Sequence, residues 1–437
     1  MNKFSNKKIQ FFIIIFFLSS SIFNLKILND SIRQSCENNC FNPYFNEVPV
    51  SVDSLNKYYK THYKSNFFEI SGTHTHGDLA LPYFHADNRD PYGGPLLNFP
   101  YRSNLFPFGN LIMLIFSFFT YKTVFFIYLI LSFSLFFYSN YLWLKNLSNS
   151  LIYASILTFG SYPFLFAIDR GNLESLVAPL ISIGVFILQN KNKDIFGTLI
   201  LILGFSVKGI HIIFLYMLFF YKRFKLLFLS IMAFLTINLI SLISFKSSII
   251  DSIVNYYEAA SRLTVFKYTE YNTSLNVLND YLLVWLGSRL DTSLGNIYEQ
   301  IRNYIELISN NFFTVSILFS AYVGLLVYFK FQDYAFKFTL SFLTISILYV
   351  NLFTSLNGVY RLIFIQICLC AYFYEIDLNE RSSKLLDLYF SISIISLFPY
   401  RLFDINLHPT SVYSTMCFML FVILIHFPNR FFEKYYE

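Results

Sequence analysis

The stretch LLFLSIMAFLTINLISLISF, residues 226–245, is twenty residues without a charge. As an α-helix it is about 30 Å long, the thickness of the hydrocarbon core of a bilayer. Lys222, Arg223 and Lys225 stand just before it and Lys246 just after it. A charge-free run of this length between basic flanks reads as a transmembrane helix. On either side of it apolar runs recur near 9–23, 105–120, 124–143, 151–168, 173–190, 195–207, 209–221, 312–330, 335–355, 358–374, 385–400 and 411–428, thirteen with this one.

Composition agrees with this reading. Of 437 residues, 55% are hydrophobic and only 13% charged, with a mean hydropathy of +0.51; a soluble chain carries roughly 25% charged residues. A single water-soluble domain is excluded. The fold class expected is an all-α polytopic membrane protein, one integral membrane domain over residues 1–437. The net charge of +6 does not indicate a nucleic-acid partner, because Lys and Arg are scattered through short loops and form no basic face. The aromatic load of 55 Phe and 34 Tyr against 2 Trp reads as A/T-rich codon bias filling lipid-facing positions.

Five cysteines are too few for a disulfide scaffold. Cys368, Cys370 and Cys417 lie inside apolar runs, as small hydrophobes. Cys36 and Cys40 form a C-x3-C in a polar loop without a nearby His, so they are either a local disulfide or two thiols, the disulfide being favoured in an oxidising compartment.

The N-terminal Lys3, Lys7 and Lys8 before an apolar run have the form of a signal sequence, read here as a retained anchor. Basic residues at Lys191/Lys193, Lys222–Lys225, Lys330/Lys337, Arg381/Lys384 and Arg430/Lys434 are assigned to the cytoplasmic side by the positive-inside rule. Both ends are then cytoplasmic and the number of crossings is even. Twelve crossings are expected, with 105–120 (Pro107, Gly109) or 151–168 (Gly160, Pro163) re-entrant or interfacial. Two large outer loops follow, 29–104 and 246–311, and loops of that length are usually functional. The aromatic-rich piece from Pro91 to Tyr101 is too apolar for a solvated linker and is expected on the membrane surface.

A family resemblance rests on four pieces in order. Asp169-Arg170-Gly171-Asn172-Leu173-Glu174, followed by a basic turn and then Gly197, Gly204 and Ser206-Val207-Lys208-Gly209, resembles the G-[QN]-x-N … G … K segment of membrane glycosyltransferases with the GT-C fold. It looks like the bacterial family of polyprenyl-phosphate-mannose-dependent mannosyltransferases in particular. Asp53 to Tyr58-Tyr59 is similar to that family's "D…Y" element, Asp90-Pro91-Tyr92-Gly93-Gly94 … Phe99-Pro100-Tyr101 to its "plY … Y-x-P" stretch, and Asn272-Thr273-Ser274-Leu275 to its "NQSL" element. Departures are Glu174 where the family has a second Asn, and Arg102-Ser103 in place of a proline context.

The resemblance implies a GT-C-like hexosyltransferase of mannosyltransferase type, inverting and metal-independent, with no cofactor. Its expected partners are a polyprenyl-phosphate-linked sugar, a glycan or glycolipid acceptor and membrane lipid. The enzyme would sit as a multi-pass protein in a bacterial inner membrane with its site on the non-cytoplasmic side. Such a reaction needs a carboxylate to take the proton of the acceptor hydroxyl and cations to neutralise the leaving phosphate.

The resemblance carries the family's catalytic Asp onto Asp53, for which the plain alternative is a helix N-cap. Asp87 and Asp90 are the alternative bases. With His85 they could also hold a divalent metal, although a solvated turn explains them equally, and no metal is expected. Lys208 interrupts an apolar run, where a cation needs water or an anion, and it is read as a donor-phosphate ligand against the alternative of snorkelling from a helix end. Arg361 has the same two readings. Arg170 and Asn172 are either ligand contacts or a self-paired turn capping the next helix. Asn272 and Ser274 are substrate-binding candidates; the alternatives for Asn272, which opens an Asn-x-Ser sequon, are a plain loop residue or a glycosylation site. Tyr59 and Tyr101 are placed to stack on sugar faces, or are ordinary interfacial aromatics. The rival functions are a polysaccharide polymerase or ligase, which would rely on paired outer arginines, and a lipid-linked-sugar flippase or transporter, disfavoured because no internal repeat is visible.

Overall fold

A computed structural model describes residues 105–188, 194–220, 223–262 and 359–364, and short pieces at 14, 18, 79, 82–83, 91–92, 300, 303, 366–367, 370–371, 401–402 and 405–406. These residues are almost wholly helical. The exception is a two-residue antiparallel pair, Arg401–Leu402 with Ile405–Asn406. In order come α1 (Pro107–Phe116), α2 (Tyr121–Leu144), α3 (Ser150–Phe159), α4 (Tyr162–Arg170), α5 (Glu174–Leu188), α6 (Asp194–Val207), a 3-10 turn (Gly209–Leu215), α7 (Tyr216–Phe220), α8 (Phe224–Ile243) and α9 (Ile249–Arg262). A second 3-10 turn spans Val359–Leu362.

Among the described residues, α2 and α8 are long and apolar enough to cross a membrane. At 24 and 20 residues they measure about 36 and 30 Å. The two candidates for the one segment expected not to cross, 105–120 and 151–168, are both built of short helices. α1 has 10 residues, about 15 Å. The 151–168 run is split into α3 and α4 where Gly160 ends the first, Ser161 caps the second and Pro163 sits in its first turn. Ser161 accepts from the Phe164 N–H, and a proline there lacks only an N–H that the helix start leaves unpaired anyway.

The run expected as a helix over 209–221 is instead a 3-10 turn and then the five-residue α7. The cause is local. The Lys208 carbonyl accepts the His211 backbone N–H at 3.1 Å and meets the ring Nδ1 of the same residue at 2.9 Å, which tightens the chain to i→i+3 bonding.

α5 and α6 form an antiparallel hairpin whose backbones touch. A Cβ on Gly184 would lie 3.0 Å from the Gly197 carbonyl oxygen, and one on Gly197 would lie 3.0 Å from that of Gly184. Small residues permit this approach in an apolar solvent, where packing rather than water exclusion drives association. α2 packs on α5 through hydroxyls at heptad spacing. Ser132 shares a hydrogen bond with Ser175 at 3.0 Å, and seven residues on in both helices Ser139 donates to Ser182 at 2.6 Å. The Trp143 indole N–H donates to the same Ser182 at 2.9 Å, so a buried polar seam is satisfied along its length.

α8 is tied to α1 by Asn238, whose Oδ1 accepts the Phe108 N–H at 3.2 Å. Beyond α8, Tyr92, Leu242 and Phe245 form a buried cluster against which Ile249 and Tyr256 of α9 pack. Burial pushes the Tyr256 phenol up to about 12, so it is a neutral hydroxyl. At the far end of the hairpin, Arg223 donates to the Leu188 carbonyl at 3.1 Å and to Asp194 at 2.8 Å.

Candidate functional site

The site end of the hairpin begins with the close of α4. Gly171 takes a left-handed conformation, φ 67°. Its N–H bonds the Ile168 carbonyl, and the Asn172 N–H bonds that of Ala167 at 2.7 Å. This paired 5→2 and 6→1 pattern is a glycine-dependent helix stop. The Asn172 side-chain oxygen then accepts the Glu174 N–H at 3.0 Å, starting α5 by an Asx turn. The Tyr128 hydroxyl donates to the Asn172 carbonyl at 3.1 Å and accepts from Ser175 at 2.8 Å. Asn172 thus starts α5, and Arg170 is the last residue of α4.

The same Asn172 oxygen also serves a second group. Lys208, at the turn after α6, donates its ammonium to it at 2.7 Å and stands 3.5 Å from Glu174 Oε1. Glu174 is buried, and its other oxygen is 2.7 Å from His211 Nε2. Arg361, buried in its 3-10 turn, adds a further attractive charge to this carboxylate.

Four chain regions thus converge: the α4–α5 turn, the start of α5, the turn after α6 and residue 361. Phe364 closes the His211 side, its ring 5.7 Å from the imidazole. Ser161 at the α3–α4 break donates to Gln366, and Gln366 donates to the Leu157 carbonyl at 2.7 Å.

The proton inventory follows from the partners. His211 Nδ1 faces a carbonyl, which only accepts, so it carries a hydrogen. A second proton lies in the 2.7 Å contact between Nε2 and Glu174. Whichever atom holds it, the His–Glu pair has no net charge. Beside that neutral pair the described side chains place two cations, Lys208 and Arg361.

The turn is held from below by α1. The Phe106 N–H bonds the Val207 carbonyl at 3.2 Å, and the Phe106 ring lies where a Cβ on residue 209 would be, 2.0 Å from its position. Only glycine fits there. Phe106 in turn packs on Phe234 of α8 and edge-on to Tyr256 of α9, ring centres 5.6 and 5.3 Å apart.

The profile of Glycosyltransferase family 87 matches residues 107–354, just over half of the chain. The chain belongs to glycosyltransferase family 87. No curated protein and no solved structure matches it. As a family 87 glycosyltransferase it is a transferase acting on glycan or lipid-linked substrates, and its apolar helices fit a membrane enzyme. The matched segment contains Asn172, Glu174, Lys208 and His211; Asp53, Asp87 and Asp90 precede it and Arg361 follows it.

Of the residues singled out in the sequence, the structure brings together Asn172, Lys208 and Arg361, with Arg170 two residues before Asn172. Asp53, Tyr59, Asp87, Asp90, Tyr101, Asn272 and Ser274, and also His85, Cys36 and Cys40, lie outside the described residues. Two members of the cluster were not anticipated as site residues. Glu174 stood out only as a departure from the resemblance, and His211 was not singled out. Both carried a signal, since an ionisable residue inside an apolar run needs a partner or a ligand. Among the described residues there is no cluster of His, Cys, Asp and Glu that could hold a metal ion.

Proposed function

We propose that this family 87 glycosyltransferase moves one sugar from a polyprenyl-phosphate donor to a glycan or lipid acceptor at the non-cytoplasmic face of the membrane. Lys208 and Arg361 hold the donor phosphate. The observation that supports this most is their convergence on Glu174, a buried carboxylate that forms with His211 a pair neutral overall.

In the proposed reaction Asp53, or failing it Asp87 or Asp90, takes the proton of the acceptor hydroxyl. The hydroxyl oxygen attacks the anomeric carbon from the face opposite the phosphate, and the bond from that carbon to the phosphate oxygen breaks. The electron pair leaves on the phosphate, where Lys208 and Arg361 stabilise the added charge. Configuration at the anomeric carbon is inverted, and no metal or cofactor takes part. Tyr59, Tyr101, Asn272 and Ser274 contact the sugar or acceptor in this reading. A twelve-helix GT-C-like bundle in a bacterial inner membrane, with the outer loops 29–104 and 246–311 above it, would deliver the donor sideways from the bilayer. A mannosyl donor is the first to try.

The test is incubation of the purified protein with labelled polyprenyl-phosphate hexoses and extracted lipids, parent against Lys208→Ala. A charge-assisted contact to phosphate is worth about 1.5–3 kcal/mol, so donor use should weaken roughly 10- to 150-fold while acceptor use changes little. Lys208→Arg should retain part of it. Unchanged donor affinity in the Ala variant would make Lys208 a snorkelling residue and sink the assignment.

A further inference from the structure

α9 has three faces, and against one of them no described residue packs. Taking 100° per residue, Ile249, Ser252 and Tyr256 share a side. Ser252 is buried and the other two pack on the Tyr92 cluster. Asp251, Asn255 and Glu258 form a polar side. Between these lies a stripe at i, i+3, i+4 and i+7: Ile250, Ile253, Val254 and Tyr257, which are 74%, 54%, 51% and 75% exposed. An apolar stripe of this spacing normally faces a core.

We infer that this stripe lies in the lipid boundary, so that α9 is a helix resting on the membrane surface at the end of α8. The position of the stripe decides what covers it. Only five residues, 244–248, separate α9 from α8, and α8 is long and apolar enough to cross a bilayer. The last turns of α8 are themselves exposed and apolar, at Leu239, Ile240 and Ile243, so the stripe continues a lipid-facing surface around the corner.

With its inner side on the protein, its apolar side into the acyl boundary and Asp251, Asn255 and Glu258 toward water, each face of α9 meets the medium that suits it. The partner is the phospholipid surface itself, whichever sugar the enzyme transfers. The placement reaches the site through two ring contacts, since Tyr256 packs on Phe106 and Phe106 fills the space over Gly209 beside Lys208. α9 thereby fixes the depth of the Lys208 turn at the level of the headgroups.

The test uses the full chain in proteoliposomes of labelled phosphatidylethanolamine and phosphatidylglycerol, with the photoreactive residue p-benzoylphenylalanine placed at position 253, 257 or 258. Ile253, Tyr257 and Glu258 are all exposed. The expected result is a lipid adduct at 253 and 257 that is lost at 258. Crosslinks from 253 and 257 to another segment of the chain or to a second copy, without lipid, would overturn the inference. So would equal lipid adducts at all three positions. Sugar-transfer activity is not the readout, so a failed donor assignment leaves this result interpretable.

Discussion

The sharpest quantitative expectation concerns how Glu174 divides itself between its two partners. One carboxylate oxygen is 2.7 Å from His211 Nε2, with both side chains at most 1% exposed; the other is 3.5 Å from Lys208, which is 16% exposed. A short charge-assisted bond out of water is worth about 1.5–3 kcal/mol. A long contact to a partly solvated ammonium, which also has Asn172 at 2.7 Å, is worth about 1 kcal/mol or less.

Double-mutant cycles of Glu174→Ala with His211→Ala, and of Glu174→Ala with Lys208→Ala, should therefore give coupling energies of about 1.5–3 and below about 1 kcal/mol respectively. The single Glu174→Ala change should cost about 3–5 kcal/mol, because it strands buried groups. Glu174→Gln keeps a hydrogen bond for His211 and should cost less. Denaturant unfolding in micelles, followed by helical circular dichroism, measures all of these. A larger coupling to Lys208 than to His211, or none to either, would refute this division of the site.

Three further outcomes follow from the geometry. Gly209→Ala forces a Cβ into the Phe106 ring and should destabilise by about 1–3 kcal/mol, as overpacking does; Phe106→Leu in the same chain should recover most of this, and a single Ala variant as stable as the parent would be the contrary result. Arg223→Ala should cost more than Asp194→Ala, since the arginine also serves the Leu188 carbonyl; each change should stay near 1 kcal/mol because the pair is partly exposed, and unfolding measurements rank them. Asp53→Asn keeps capping ability and removes the proton acceptor, so turnover should fall about 10²- to 10⁴-fold with normal insertion; an active Asn variant beside a dead Asp87→Asn or Asp90→Asn enzyme would move the base.

The helices were legible wherever a signal is local. The apolar run 195–207 falls in α6, the run 226–245 overlaps most of α8, and the suspected break near Gly160 and Pro163 is where α3 gives way to α4. Lys208 was legible as a cation in the wrong solvent, and Asn172 as a turn residue. Glu174 and His211 were not, because their meaning lies in each other across 37 positions, a distance over which no periodicity acts. The 3-10 turn was hidden for a related reason. Apolar spacing over 209–221 fits a helix, and a single imidazole bonded back to its own turn overrules it.

The hairpin of α5 and α6 is latched at both ends, by Glu174 with His211 and Lys208 at one and by Arg223 with Asp194 and Leu188 at the other, and it has glycines in contact between. A pair of rods pinned in this way has no soft splaying motion. When the load on the Lys208 turn changes, the pair must tilt or slide as one stiff lever against α2 and α8. A displacement at the site is then carried to the Arg223 end of the pair, about 20 Å away.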